Sequence, residues 1–227
     1  MVELPEERLR GRLVLFDLDG TLVDSTPGIW ASVRAAAAEV GLAEPTSGQL
    51  RDMVGPPLQD GFALVLGVGP ADLPVAVAAY RSHYAAGALL DGTVYAGVPE
   101  LLAQLRRAGA VLAVATSKPE PFAVRVLEHT GLAVEFASVH GASFDGRIRH
   151  KAQVVGAALA AHPQGRDPVL VGDREHDVLG AAAHGLPCIG AGWGPAPPGE
   201  LAAAGAVAVV STPAEVTAAL ADSHTWR

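Results

Sequence analysis

Two carboxylates stand two residues apart, Asp17 and Asp19, directly after an apolar run that begins at Leu13. The run predicts a buried strand, and Gly20 with Thr21 ends it. Because side chains alternate along a strand, both acids point to the same side. Neighbouring carboxylates repel each other unless a cation lies between them, and Mg²⁺ prefers carboxylate and carbonyl oxygens. The spacing therefore favours a magnesium site, with an Asp-rich turn before a helix as the alternative.

A second pair of acids follows another short apolar run, at 169–171. Gly172 and Asp173 end this run, and Asp177 comes four residues after Asp173. On a helix that spacing is one turn, so the two acids share a face. The alternative is a helix N-cap with an exposed acid. His176 lies between the acids and is expected to be solvated, because no matching cluster of His or Cys accompanies it.

Of the sixteen basic residues in the chain, fourteen are arginines and only two are lysines, Lys118 and Lys151. A lysine supplies a compact point charge that the guanidinium fork of arginine does not reproduce. Lys118 follows the apolar run at 111–115 and the hydroxyl residue Thr116, whose alternative role is to cap the next helix. Lys151 opens a predicted helix. The sequence therefore points to both lysines as candidates for a tight, charged pocket.

Composition sets broad limits on what this chain of 227 residues does. Half of the residues are hydrophobic and 18% are charged, which is typical of an α/β protein with a buried parallel sheet. The net charge of −8 and the absence of Lys or Arg runs argue against a nucleic-acid partner. The charged N-terminal residues lack the apolar segment of a signal peptide, and no uninterrupted apolar run approaches the length of a membrane span. The lone Cys188 excludes an intrachain disulfide and is expected in the core, so we expect a cytoplasmic protein.

Apolar runs and helical patterns alternate along most of the chain. After the first strand, further runs predict strands at 111–115, 134–139, 169–171, 188–191 and 206–210. Helical patterns between them imply right-handed βαβ units and an open, Rossmann-like parallel sheet. Ligands of such sheets bind at the carboxyl ends of the strands. The predicted fold class is therefore α/β, with the four acids at one edge of the sheet.

One long segment, 24–92, interrupts this alternation. It lacks convincing strand patterning and is too long for a single crossover connection. We interpret it as a small α-helical domain inserted between core segments 1–23 and 93–227, with extra helices packed on the core as the alternative. The predicted helices of this segment lie at 28–40, 47–54, 58–66 and 73–86.

The motifs, taken together, resemble those of the haloacid dehalogenase superfamily. The first is Asp-x-Asp-Gly-Thr after an apolar strand, beginning at Asp17; the second is the Thr116 segment. The third is Lys151, and the fourth is Gly-Asp-x-x-x-Asp, beginning at Gly172. The order matches the family, and the likeness extends over essentially the whole chain. It is closest to the phosphoglycolate phosphatase-like branch and its 5′-nucleotidase-like relatives, which implies that segment 24–92 is the α-helical cap of this family.

The resemblance implies a role for each acid. Asp17 is the expected nucleophile, which forms an aspartyl-phosphate intermediate. Asp19 is expected to protonate the leaving oxygen and then to activate the hydrolytic water. Mg²⁺ is expected at the Asp17 carboxylate, the Asp19 backbone carbonyl and Asp173, with Asp177 binding it directly or through water.

The resemblance also implies which residues hold the phosphoryl group and the substrate. Thr116 and Lys151 are expected at the phosphoryl oxygens. Lys118 is expected either to touch substrate or to project into solvent. Arg51 is expected to clamp a substrate carboxylate or second phosphate, with an exposed helical arginine as the alternative. The expected substrate- and phosphate-binding residues are Gly20, Thr21, Ser117, Lys118 and Arg51.

The implied activity is that of a magnesium-dependent phosphatase. The expected substrate is a small phosphate monoester of the phosphoglycolate, nucleotide or sugar phosphate class, and the expected assembly is a monomer or homodimer. Asp19 argues against the dehalogenase reaction, since a halide leaving group needs no proton. The phosphonatase mechanism needs a cap lysine, and segment 24–92 contains none. A phosphoglucomutase-like phosphoryl transfer and a non-catalytic binding or regulatory protein remain the alternatives.

Overall fold

The computed structural model describes residues 6–222 and residue 226. Within this part of the chain, one or more helices lie between successive strands of the larger sheet. The strands are β1 (Arg12–Phe16), β2 (Val23–Asp24), β3 (Thr93–Val94), β4 (Val111–Pro119), β5 (Ser138–Ala142), β6 (Arg166–Gly172), β7 (Cys188–Ala191) and β8 (Ala208–Val210). The α-helices are α1 (Glu6–Leu9), α2 (Thr26–Glu39), α3 (Ser47–Asp52), α4 (Leu58–Asp60), α5 (Leu73–Ala85), α6 (Val98–Arg107), α7 (Glu120–His129), α8 (Lys151–Ala161), α9 (Glu175–Ala182), α10 (Glu200–Ala204) and α11 (Glu215–Ala221).

Six strands form one parallel sheet in the order β5-β4-β1-β6-β7-β8. The central strand, β1, pairs with β4 through Leu13 and Val111 and with β6 through Leu15 and Leu170. Every residue of β1 is buried, which explains why its sequence from Leu13 onward is a continuous apolar run rather than an alternating one. The predicted Rossmann-like α/β core is confirmed.

The two faces of the sheet bury separate apolar clusters. Val14 and Phe16 of β1 belong to one cluster, and Leu13 and Leu15 belong to the other, as strand alternation requires. Cys188 is buried in the second cluster, as predicted. The first cluster continues into the helices between β2 and β3, so those helices share a hydrophobic core with one face of the sheet.

Strand ends differ from the predicted ones at several places, and β6 begins at Arg166, three residues before its predicted start. β4 continues through Pro119, four residues past its predicted end, because it stays paired with β5 across a register shift between Thr116 and Pro119. β5 begins at Ser138, since Ala133–Glu135 forms a 3-10 turn instead of strand. β8 begins at Ala208, two residues later than predicted. Apolar patterns therefore located these strands but not their ends.

The chain between β2 and β3 is helical, as predicted for 24–92, and we call residues 24–92 the helical insertion. It contains α2 to α5, a π-helical turn (Gly61–Val65) and a 3-10 turn (Ala88–Leu90). β2 and β3 pair antiparallel, Val23 with Val94 and Asp24 with Thr93, so the two ends of the insertion lie side by side. That this insertion is a separate domain stays a prediction. None of the described helices combines the length and the apolar character needed to cross a bilayer.

Candidate active site

The candidate catalytic residues meet at the carboxyl ends of three neighbouring strands. Asp17 follows β1, Thr116 lies in the last part of β4, and Asp173 follows β6. Lys151 is the first residue of α8 and Asp177 lies in the first turn of α9. The parallel topology thus brings residues more than 150 positions apart to one edge of the sheet.

The loop after β1 is a compact turn. The Gly20 amide donates to the Val23 carbonyl oxygen at 2.8 Å, and the Leu22 amide donates to the Leu18 carbonyl oxygen at 2.9 Å. Gly20 has a φ of +90°, a conformation that favours glycine. A Cβ atom at this position would lie 2.3 Å from Asp173 Oδ2, so the close approach of the two loops also requires glycine.

Three buried carboxylates and one ammonium form the centre of the site. One oxygen each from Asp17, Asp173 and Asp177 lies within 4.8 Å of the others. Lys151 Nζ donates to Asp17 Oδ1 at 2.6 Å and pairs with Asp177 Oδ1 at 2.5 Å. We call these four residues the acid cluster. With three acids and one lysine, its formal charge is negative when all four are ionised.

Burial and mutual repulsion shift the titration of the acid cluster. Burial raises the pKa of Asp17 to about 6; Lys151 opposes this rise and Asp177 adds to it. Burial, with Asp177 and Asp17 nearby, raises the pKa of Asp173 well above its usual range. Burial alone would lower the pKa of Lys151, but the Asp17 and Asp177 carboxylates outweigh it and raise that pKa. The three carboxylates of the cluster therefore outnumber its one ammonium group.

Asp173 shows most clearly that the acid cluster fits a cation. Its Oδ1 accepts a hydrogen bond from Thr21 Oγ1 at 2.8 Å. Its Oδ2 is buried and has no hydrogen-bond partner within the described part of the chain. An unpartnered buried carboxylate oxygen is costly unless a cation approaches it. The oxygen-only donor set suits Mg²⁺, so the residues fit the expected metal. In Asp177, Oδ2 accepts from the Arg174 amide and Oδ1 pairs with Lys151, so both oxygens are engaged.

Lys118 is buried against Asp19 rather than projecting into solvent. Its Nζ atom lies 2.5 Å and 2.7 Å from the two carboxylate oxygens of Asp19. Its third contact is the hydroxyl oxygen of Tyr84 on α5, at 2.6 Å. Asp19 is thus paired with the second lysine of the chain, apart from the acid cluster.

A cavity opens beside these residues, between the sheet edge and the helical insertion. Asp17 and Asp19 line it together with Thr116, Ser117 and Lys118, so the structure brings these predicted residues to one place. The Lys118 amide donates to Thr116 Oγ1 at 3.2 Å, which leaves the hydroxyl proton of Thr116 free to be donated elsewhere. Residues of the insertion that line the cavity include Ile29, Met53, Gly55, Pro56, Pro57, Leu58, Gln59, Tyr80, Arg81 and Tyr84.

Two residues singled out in the sequence are placed differently. Arg51 is exposed at the end of α3 and is not among the residues that line the cavity. Thr21, expected at the phosphate, donates its hydroxyl to Asp173 and so orients an acid of the cluster. Trp193 Nε1 donates to the Thr21 carbonyl oxygen at 3.0 Å, which anchors the loop after β7 to the loop after β1.

Sequence patterns did not indicate the residues that join the insertion to the core. Besides Tyr84, these are Arg174, which donates to the Val54 carbonyl oxygen, and Arg149, which pairs with Asp60. Arg174 also pairs with Glu200 through its Nε at 2.8 Å. These contacts join segments far apart in the chain, and helical or strand periodicity gives no signal for them.

Comparison with known proteins identifies a matching family and several related chains. Residues 14–191 match a family model described as haloacid dehalogenase-like hydrolase. The chain is 44% identical over 184 residues to the tyrosine-protein kinase PtkA of Mycobacterium tuberculosis, and the match covers 81% of this chain but only 62% of that relative. It is 39% identical over 187 residues to a 5′-nucleotidase of Pseudomonas aeruginosa, with 82% and 85% of the two chains covered.

The chain is also similar to a further relative and to a solved crystal structure. The chain is 35% identical over 189 residues to a phosphoglycolate phosphatase of Xanthomonas campestris, and the match covers 81% of this chain and 84% of the relative. A crystal structure described as a predicted phosphatase from Clostridium acetobutylicum superposes with a TM-score of 0.88 at 36% identity. That match covers 93% of this chain and 98% of the other.

Proposed function

The chain belongs to the haloacid dehalogenase-like hydrolase family, and we propose that it is a magnesium-dependent phosphatase of small phosphate monoesters. The observation that carries this proposal is the position of Asp17. Its carboxylate lies at the edge of a cavity, one oxygen is held by Lys151, and Asp19 stands two residues further along the same wall. Relatives named 5′-nucleotidase and phosphoglycolate phosphatase support the substrate class.

The reaction begins at the Asp17 carboxylate. Lys151 donates to Oδ1, which leaves Oδ2 to attack phosphorus. A P–O bond to Asp17 forms while the P–O bond to the leaving group breaks, and the product is an aspartyl phosphate. One difficult displacement is thereby divided into two easier ones.

Asp19 moves the protons of both steps. As an acid it gives its carboxyl proton to the leaving oxygen of the ester. As a carboxylate it then accepts a proton from the water that attacks the phosphorus of the aspartyl phosphate. That attack breaks the P–O bond to Asp17 and releases inorganic phosphate, so both carboxyl groups return to their starting states.

Residues around Asp17 hold the equatorial phosphoryl oxygens. Thr116 has a hydroxyl proton available, and the Ser117 amide lies beside it on the cavity wall. The amide of Gly20 is already bonded to the Val23 carbonyl oxygen, so it is a weaker candidate than Ser117. Lys151 supplies a positive charge next to the nucleophile.

Asp17 and Asp173 are the residues that would hold Mg²⁺, with Asp177 behind them. When bound, the ion would reduce the repulsion between the Asp17 carboxylate and the phosphate dianion. The unpartnered Oδ2 of Asp173 is the support for this assignment within the chain.

We assign the helical insertion the role of a cap that excludes water and selects the substrate. Its residues supply the apolar part of the cavity wall, among them Met53, Leu58 and Tyr80. A wall of this kind strengthens the electrostatic contacts inside the cavity.

A second candidate is phosphoryl transfer to an acceptor other than water. The relative named tyrosine-protein kinase favours it, because that chain is 44% identical to this one. The phosphoglucomutase-like alternative belongs to the same chemical class. In both cases the phosphoryl group leaves Asp17 for a hydroxyl group of the acceptor.

Release of inorganic phosphate from a panel of esters with Mg²⁺ tests the proposal. The panel contains phosphoglycolate, nucleoside monophosphates and sugar phosphates, and a parallel reaction with ATP and a tyrosine-containing peptide tests phosphoryl transfer. We expect one or more esters to be hydrolysed and Asp17→Asn to abolish turnover, because an amide cannot form the acyl phosphate.

Asp72→Asn is the matched control, since Asp72 is exposed at the start of α5 and its side chain makes no capping hydrogen bond. Full activity of Asp17→Asn would remove Asp17 from its role. Peptide phosphorylation without ester hydrolysis would favour the second candidate.

A further inference from the structure

The ammonium group of Lys118 joins the core to the helical insertion. A lysine has three N–H donors, and here all three have partners. Two are directed to Asp19 Oδ1 and Oδ2, at 2.5 Å and 2.7 Å, and the third to Tyr84 Oη at 2.6 Å. The side chains of Lys118 and Asp19 are only 2% and 14% exposed, so water competes little for these bonds.

This contact fixes the orientation of the Asp19 carboxylate. A carboxylate has about four lone-pair sites, two on each oxygen. Lys118 occupies one on each oxygen and leaves the others for a proton or for the leaving oxygen of a substrate. Without the ammonium, the carboxylate of Asp19 is free to rotate about its terminal bond.

The ring of Tyr84 is itself held in place. It stacks on Tyr80 with centroids 5.3 Å apart and meets Phe122 of α7 edge-on at 5.8 Å. Burial and the nearby Asp19 raise the pKa of Tyr84 well above its usual range, so the phenol stays neutral. Its oxygen therefore accepts from Lys118 and keeps its own proton.

We propose that Lys118 and Tyr84 are positioning residues for Asp19: the hydroxyl of Tyr84 on the insertion holds the Lys118 ammonium, which aims the Asp19 carboxylate at the leaving oxygen. The inference rests on the proposed phosphatase function and assigns the insertion a part in proton transfer as well as in substrate selection. Tyr84 supplies the link across the boundary between the insertion and the core.

Leaving groups of different basicity distinguish positioning from simple structural support. An alkyl phosphate releases a strongly basic alkoxide and needs a proton from Asp19, whereas p-nitrophenyl phosphate releases a weakly basic phenolate and needs little help. The ratio kcat/KM reports the steps up to the first irreversible one, which is formation of the aspartyl phosphate. Its value is therefore insensitive to the later hydrolysis step, in which Asp19 acts as a base.

The experiment measures kcat/KM of the wild type, Tyr84→Phe and Lys118→Met on the best alkyl ester of the panel and on p-nitrophenyl phosphate. Complete loss of a general acid costs on the order of 10²–10⁴-fold, and misplacement costs less. We expect Tyr84→Phe to lower kcat/KM on the alkyl ester about tenfold, and Lys118→Met to lower it about a hundredfold. On p-nitrophenyl phosphate, we expect Tyr84→Phe to lower kcat/KM less than about threefold.

Tyr95→Phe is the matched comparison, because it removes a hydroxyl from a partly buried tyrosine that is not among the residues that line the cavity. Thermal unfolding checks that each variant is folded. Equal losses of Tyr84→Phe on both esters, no loss on either, or the same alkyl-specific loss in Tyr95→Phe would overturn the inference. If the wild type hydrolyses neither ester, the proposed function fails and the inference falls with it.

Discussion

At the scale of single residues, the site is governed by an imbalance of buried charge. Among the described residues, Lys151 supplies the ammonium that pairs with the buried acids Asp17 and Asp177, and it makes no ion pair with Asp173. Asp173 is left with a hydroxyl contact from Thr21 and an unpartnered oxygen. The two lysines thus pair with different acids: Lys151 pairs with Asp17 and Asp177, and Lys118 pairs with Asp19.

We predict that Lys151→Met lowers kcat on the order of a hundredfold or more, because it removes a charge beside the nucleophile and the transferring phosphoryl group. Methionine keeps much of the side-chain volume. Steady-state kinetics on the best ester measure the effect. Arg125→Met is the control for loss of a cation, since Arg125 is exposed on α7. Near-wild-type kcat in Lys151→Met would exclude Lys151 from the transition state.

The acid pairs could be predicted from the sequence because their chemistry is local, whereas Thr116 and Lys151 are assigned through the resemblance to the family. An Asp-x-Asp pair after a buried strand specifies its own geometry, and parallel strands bring their carboxyl ends together. The partner of Lys118 could not be predicted in this way. Tyr84 lies 34 residues before Lys118 on an amphipathic helix, where a tyrosine is indistinguishable from other core residues.

At the scale of elements, the loops after β1, β6 and β7 interlock around Asp173. A Cβ atom on Gly20 or on Gly194 would come within 2.3 Å or 2.5 Å of Asp173 atoms. The two glycines therefore form a close cradle for this carboxylate. Glycine at these positions is a packing requirement of the acid cluster, and at Gly20 the positive φ favours glycine as well.

We predict that Gly20→Ala displaces Asp173 and lowers activity by at least about tenfold, while Gly67→Ala leaves activity unchanged. Both glycines have positive φ, +90° and +68°, so both alanine variants carry backbone strain, which costs roughly 1 kcal/mol. Only the Cβ at position 20 meets other atoms within 4 Å. Activity and thermal unfolding of the two variants separate strain from collision, and equal losses of activity would contradict the assignment.

The elements themselves were largely predictable, and their mutual arrangement was less so. The helices of the insertion lie close to the predicted ranges, and α5 at Leu73–Ala85 is one residue shorter than expected. Periodicity shows which face of a helix is apolar but not which partner covers it. The extension of β4 to Pro119 depends on its pairing with β5, which no local pattern encodes.

At the scale of the whole molecule, three core cations reach the helical insertion within the described part of the chain. Lys118 contacts Tyr84, Arg149 contacts Asp60, and Arg174 contacts the Val54 carbonyl oxygen. Each of these cations lies close to a predicted motif or within one. The position of the insertion is therefore coupled to the segments that carry the chemistry.

We predict that Mg²⁺ stabilises the whole protein, and does so more as the pH rises. Burial raises the pKa of Asp17 from 3.8 to about 6, so the metal-free folded state binds protons more tightly than the unfolded chain. Without metal, the free energy of unfolding therefore falls as the pH rises from 3.8 to about 6. Mg²⁺ binds the ionised carboxylates, so it restores this free energy above pH about 6.

Thermal unfolding with Mg²⁺ or EDTA, at about pH 5 and about pH 8, measures this effect. The rise in Tm on adding Mg²⁺ is expected to be larger at the higher pH and absent in Asp173→Asn. EDTA is expected to abolish hydrolysis, and Mg²⁺ rather than Zn²⁺ to restore it. A Tm shift that Asp173→Asn retains in full would contradict the metal assignment.

The pairing of β2 with β3 has a consequence for how such enzymes diverge. Because Val23 lies opposite Val94 and Asp24 opposite Thr93, the insertion leaves and re-enters the core at neighbouring points. Closely spaced ends allow the intervening segment to be lengthened, shortened or exchanged without a change in the register of the parallel sheet. Under the proposed role of the insertion as a cap, mutation can change the substrate pocket there while the acids on the sheet edge stay in place, provided that a hydroxyl remains within reach of Lys118.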